Sequence, residues 1–94
     1  MIAWIAPDAF AAAILSGRLY VFGGWDGSTF ATNSTWIYDP GSDSWSAGAA
    51  MPTARSNALA GVLAGQAVVI GGYSGTLGGN LSTVEIYDPV ADAW

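Results

Sequence analysis

The chain repeats itself. Leu19-Tyr20-Val21-Phe22-Gly23-Gly24 returns as Ala67-Val68-Val69-Ile70-Gly71-Gly72, four apolar residues before a double glycine each time. Downstream, Ile37-Tyr38-Asp39-Pro40 followed by Trp45 returns as Ile86-Tyr87-Asp88-Pro89 followed by Trp94. The glycines recur after 48 residues, the tyrosines and tryptophans after 49. A fixed period of this length built from short apolar runs marks a repeat architecture, in which one unit cannot bury its apolar face alone. That restricts the fold before any local reading begins.

Between these landmarks each copy reads as four short strands. The first, Phe10–Leu15 and its counterpart Ala58–Leu63, are continuous apolar runs ending at Ser16-Gly17 and Ala64-Gly65. Their length and glycine boundaries favour strand over helix. The absence of alternation predicts burial on both faces, as for an inner strand. Two-residue links then lead by hairpin into Leu19–Gly23 and Ala67–Gly71. Polar, glycine-rich loops follow, Trp25–Asn33 and Tyr73–Ser82. The third strands, Thr35–Tyr38 and Thr83–Tyr87, carry the β-branched and aromatic residues that suit a pleated surface. Asp39-Pro40 and Asp88-Pro89 open turns, in which proline fixes φ and aspartate bonds its own backbone. Trp45 begins a fourth strand, and Trp94 holds the same place in the second copy.

Composition narrows what such a chain can do. Of 94 residues 52% are hydrophobic, which argues against disorder, while only 10% are charged. So few charges hint at apolar area covered by something outside these residues. The formal net charge is −5, with Arg18 and Arg55 the only cations, which disfavours nucleic acid and anionic membrane as partners. With no cysteine and no histidine, thiol and imidazole chemistry and their metal sites are excluded within this stretch. The apolar run Met1–Leu15 is interrupted by Pro7 and Asp8, and its first cation, Arg18, follows it. It resembles neither a secretory signal nor a membrane span, which needs about 20 apolar residues.

Four apolar residues, Gly-Gly, a loop, Tyr-Asp-Pro and a tryptophan together resemble the kelch repeat, the blade unit of kelch β-propellers. The matching positions are Gly23, Gly24, Tyr38 and Trp45 in one copy and Gly71, Gly72, Tyr87 and Trp94 in the other. Met51-Pro52-Thr53-Ala54-Arg55 is similar to the Met-Pro and Arg that precede a kelch first strand; the first copy has Pro7 where the second has Arg55. The WD repeat is the rival, since Trp25-Asp26 occurs, but that dipeptide falls in a loop and no Gly-His element accompanies it. The resemblance implies an all-β fold of two four-stranded antiparallel blades, residues 1–55 and 56–94. The double glycines allow positive φ and close backbone approach. The motif aromatics are expected between blades and across strands.

Two blades do not close a ring, since propellers have about four to eight. The chain is therefore expected either to belong to a longer propeller or to assemble head to tail with copies of itself. In the second case Met1–Ala6 would complete another copy's second blade, and three chains would make six blades.

Candidate contacts follow partly from the resemblance and partly from the loops. The resemblance makes Arg55 the first choice for a ligand contact, against a purely structural role bonding loop carbonyls. Trp25, Asp26, Ser28, Tyr73, Ser74 and Thr76 lie in loops between second and third strands, where recognition residues are carried. An aromatic beside Ser and Asp suits a sugar or peptide, although turn chemistry alone explains the glycines around them. Gly71-Gly72-Tyr73-Ser74-Gly75 lacks the lysine and the helix of a phosphate-binding loop. Asn33-Ser34-Thr35 and Asn80-Leu81-Ser82 fit the glycosylation sequon but are ordinary polar loop residues. Asp26 alone is far short of a Ca²⁺ cage. Asp39, Asp43, Asp88 and Asp92 read as turn residues, and mid-strand Glu85 as solvent-facing. No constellation for catalysis, metal or cofactor stands out. The expected function is a binding module for a protein or carbohydrate partner. The alternative is a fragment of a kelch-fold carbohydrate-active enzyme, an epimerase or oxidase, whose catalytic residues lie elsewhere.

Overall fold

The computed structural model describes residues 9–25, 31–74 and 79–94. All their regular elements are β-strands. In blade 1, β1 (Ala11–Leu15), β2 (Arg18–Phe22), β3 (Thr35–Asp39) and β4 (Ser44–Ala47) pair antiparallel in chain order. Blade 2 begins with β5 (Leu59–Leu63) and β6 (Gln66–Ile70). A small hairpin, β7 (Tyr73–Ser74) with β8 (Gly79–Asn80), projects before β9 (Val84–Tyr87) returns to pair with β6. Four strands are thus formed in blade 1 and three in the main sheet of blade 2. Trp94, where the fourth strand would start, is preceded only by the bridge from Ala93 to Asp88.

The backbone repeats as closely as the sequence. The β1–β2 and β5–β6 hairpins turn on Ser16-Gly17 (φ 51° and 75°) and Ala64-Gly65 (φ 52° and 75°). Positive φ at both central residues matches the right-handed twist of the strands they join. Asp43 and Asp92 share φ 49°, and Ala9 and Asn57 have φ 57° and 58°. The double glycines also lie in this region, Gly23 at 62° and Gly71 at 67°. At Gly23 a Cβ would strike the Arg55 carbonyl and come within 2.9 Å of Met51 Cε, so glycine is needed for space as well as conformation.

β1 packs against β5 and β6, so the blades meet at their inner strands. Alanines stand where the sheets converge, Ala11 and Ala13 from blade 1 and Ala58, Ala60 and Ala67 from blade 2. Farther out, Tyr20 and Phe22 of blade 1 meet Tyr87 and Trp94 of blade 2. Phe22 lies edge-on to Trp94 at 5.3 Å and to Tyr87 at 6.0 Å; Tyr20 is 5.6 Å from Tyr87. Edge-on rings set positive rims against negative faces, adding to the area they bury. The expectation of burial on both faces of the first strands does not hold. β1 alternates, with Ala11, Ala13 and Leu15 buried and Ile14 71% exposed. β5 presents Leu59 and Leu63 to solvent at 73% and 71%. Among the described residues β5 meets another sheet on one face alone, which leaves Leu59 and Leu63 uncovered.

One polar staple crosses the interface. The Tyr87 hydroxyl donates to Asp92 Oδ1 (2.6 Å), the Ala49 amide donates to the same oxygen (2.8 Å), and Trp94 Nε1 donates to the Ala49 carbonyl (2.8 Å). Both polar groups of the Ala49 backbone are thereby held by blade 2. In blade 1 the Tyr38 hydroxyl likewise donates to Asp43 Oδ1 at 2.6 Å. The Tyr87 hydroxyl, followed by the Ala49 amide, holds the Asp92 carboxyl below its ordinary value of 3.8. A carboxyl depressed in the folded state contributes stability above its unfolded pKa and loses it as pH falls through the folded value. Asp92→Asn is therefore expected to flatten the acid limb of stability between about pH 6 and pH 2.5, read from denaturant midpoints. An unchanged limb would mean that the carboxylate does not stabilise the interface.

Candidate functional site

Blade 2 is threaded onto blade 1 by the lead-in segment between β4 and β5. Met51 N donates to Asn33 O (2.8 Å), Arg55 N to Thr32 O (3.0 Å), and Gly24 N to Arg55 O (2.7 Å). Asn33 Nδ2 adds a longer bond to Met51 O (3.3 Å). The backbone of Met51–Arg55 thus occupies a slot between the double glycine and the loop ahead of β3. Met51 is 2% exposed and joins the core cluster.

Arg55 does not face a ligand in this arrangement. Its side chain is fully enclosed. Nη1 donates to the carbonyls of Gly71 (2.7 Å) and Thr83 (2.9 Å), Nη2 to Thr83 Oγ1 (2.8 Å), and Nε to Glu85 Oε1 (3.3 Å). Glu85, expected in solvent, is instead the counter-ion: Nη2 lies 3.2 Å from Oε1, and Thr53 Oγ1 donates to Oε2 at 2.8 Å. A buried guanidinium needs a charge partner and acceptors for its fork of donors, and blade 2 supplies both. The sequence carried a signal for this pair. Where the second repeat has Arg55 and Glu85, the first has Pro7 and Trp36, so cation and carboxylate come and go together.

Of the loop residues, Trp25 and Tyr73 are 43% and 47% exposed, at the same repeat position on adjacent blades. Ser74 is 1% exposed, paired with Gly79 in the small hairpin, and offers nothing to a ligand. Asp26, Ser28 and Thr76 lie outside the described residues. Beside Tyr73 a cavity of about 560 Å³ is lined by Asn57, Gly72, Tyr73, Asn80 and Leu81. Asn57 and Asn80 are exposed amides that the sequence reading passed over. Asn80 appeared there only as part of a sequon, and Asn57 reaches the cavity because Ser56 bridges to Tyr73. Aromatic face, two amides and glycine backbone make a surface that can stack and hydrogen-bond but holds no charged group. Among the described residues no cluster of three or more His, Cys, Asp or Glu could hold a metal ion.

Comparison with known proteins follows the same repeat. The Kelch motif family model matches residues 9–52 and again residues 54–94. Kelch-like protein 35 of Mus musculus is 42% identical over 80 residues, covering 85% of this chain and 14% of that protein. The F-box/kelch-repeat protein SKIP30 of Arabidopsis thaliana is 35% identical over 95 residues, covering 90% of this chain and 27% of its own length. Among solved structures, that of YjhT superposes with a TM-score of 0.67 at 29% identity, over 72% of this chain and 21% of that one. The chain thus spans a quarter or less of most of these relatives.

The Arg55–Glu85 pair gives a direct test. Arg55→Met leaves the Glu85 carboxylate without its cation and two carbonyls without their donor, and is expected to cost about 3–5 kcal/mol, read from the urea midpoint at unchanged m-value. Replacing both partners by apolar residues should recover part of that loss. A single-variant loss below about 1 kcal/mol, the scale of a surface bridge, would contradict the buried-pair assignment.

Proposed function

Since the chain belongs to the kelch repeat family, we propose that it is an interaction module that binds a protein partner through the loops between second and third strands of each blade. The observation that carries this reading is the pair Trp25 and Tyr73. Each follows a double glycine, and both stay exposed although blade 2 is already docked on blade 1. Rigid, half-exposed aromatics on adjacent blades are the residues that anchor protein contacts, because they bring large area at little entropic cost. Arg55 acts as the internal brace of blade 2 and leaves recognition to the rim.

A carbohydrate partner is the second reading, favoured by the cavity that Tyr73 lines together with Asn57 and Asn80. Any catalysis, including the epimerase or oxidase chemistry of a larger kelch enzyme, we place outside these 94 residues, which have neither histidine nor cysteine. The net charge of −5 leaves nucleic acid and anionic membrane as poor partners.

Selection of displayed peptides on the immobilised chain, in parallel with a glycan array, separates the two ligand classes. Peptide ligands are expected, and Tyr73→Ala or Trp25→Ala should weaken each by about tenfold or more. Binding indifferent to both substitutions would overturn the loop assignment, and glycans selected in place of peptides would favour the second reading.

A further inference from the structure

The rim of blade 2 differs from that of blade 1 in one chemical respect. Tyr73 is held by backbone pairing on both sides. Ser56 N donates to Tyr73 O (2.9 Å) and Tyr73 N to Ser56 O (2.8 Å), which sets Asn57 next to this bridge, while Asn80 lies opposite Tyr73 across β7 and β8. Blade 1 has the same frame with other side chains. Trp25 bridges to Ala31, and Ala9 shares the left-handed backbone of Asn57, φ 57° against 58°. The first repeat therefore carries Ala, Trp and Ala where the second carries Asn, Tyr and Asn. Neither amide is required by the backbone, since alanine holds both places in blade 1.

In blade 2 these three residues line one cavity, together with Gly72 and Leu81. Both asparagines are exposed, and among the described residues neither side-chain amide has a hydrogen-bond partner. A neighbouring blade does not cover this part of the rim, because Trp25 stays 43% exposed with blade 2 docked beside it.

What the cavity can take follows from its groups. No charged side chain lines it, and Arg55 commits its donors to Gly71, Thr83 and Glu85. An anion would meet no counter-charge here, on a chain of net charge −5, and a cation would meet no carboxylate. An aliphatic group would cut two amides off from water without replacing their hydrogen bonds. Each asparagine offers two donors and an acceptor, and a second carboxamide matches them in one plane, N–H to oxygen and oxygen to N–H. Its flat face also lies well against an exposed tyrosine ring.

We propose that the cavity beside Tyr73 recognises the side-chain carboxamide of a Gln or Asn in the bound peptide. This rests on the reading of the loops as a peptide-binding rim and adds the chemistry of one anchor.

The test follows the side-chain NH₂ resonances of Asn57 and Asn80 in the isotope-labelled chain. The probes are N-acetylated, C-amidated Gln, Met, Glu and Lys, which share backbone amides and differ in side chain, and methyl glucoside. Blocked Gln should move both sets of resonances, with a Kd at least about tenfold below that of blocked Met, the ratio that one to two net hydrogen bonds provide. Asn57→Ala combined with Asn80→Ala, which copies the alanines of blade 1, should erase that ratio and leave blocked Met unchanged. No shift with blocked Gln, a preference that survives the double substitution, or tighter binding of Met, Glu, Lys or the glucoside would overturn the proposal. Displayed peptides that need Tyr73 but tolerate Met at every Gln and Asn would overturn it too, and leave the loop reading standing. A chain that selects no peptide would overturn the loop reading and this inference with it.

Discussion

The edge-on meeting of Phe22 with Tyr87 and Trp94 is the contact on which the rest depends. Ala11, Ala13, Leu15, Tyr20 and Phe22 of blade 1 share one buried cluster with Met51 and with Ala67, Val69 and Tyr87 of blade 2, so most of the core is formed between the sheets. Alanines fill the contact beside β1 and β5, and larger rings, Tyr20 and Phe22 against Tyr87 and Trp94, fill it farther out. Phe22 deserves its central place because it is touched by both motif aromatics of the next repeat, Tyr87 and Trp94.

Polar groups enter the interface only where their partners are complete. Ala49 has its N–H and carbonyl held by Asp92 and Trp94, and the lead-in segment exchanges backbone bonds with Gly24, Thr32 and Asn33. Arg55 is the most demanding case, a buried cation whose donors go to a carboxylate, two carbonyls and a hydroxyl. Such groups add register more than net stability, since a sheet displaced by one residue would leave every one of them unpaired.

Much of this was legible in the sequence. The repeat gave the strand order, and Ser16-Gly17, Ala64-Gly65 and the double glycines announced left-handed turns there, while those at Ala9, Asp43, Asn57 and Asp92 carried no such signal. Burial was harder to read. Phe10–Leu15 and Ala58–Leu63 look doubly buried because an apolar residue intended for a neighbouring blade is indistinguishable from one already covered. Glu85 was misread as solvent-facing because strand periodicity assigns a face, not a partner, and its partner lies 30 residues away. Arg55 was legible as special but not as internal; only packing shows that its donors turn into blade 2. Asn57 and Asn80 escaped notice because isolated amides in loops carry no pattern until a fold brings them beside Tyr73.

If shared burial between the sheets is what holds the molecule together, the blades must open as one unit. Native-state hydrogen exchange, resolved by residue, measures this through the amides of β2 and β6. The account predicts indistinguishable opening free energies for the most protected amides of the two strands, falling together when Phe22 is replaced by Ala. Blade 1 amides that stay protected while those of blade 2 exchange through a separate, lower opening would contradict it, and would mean that a single blade carries its own stability.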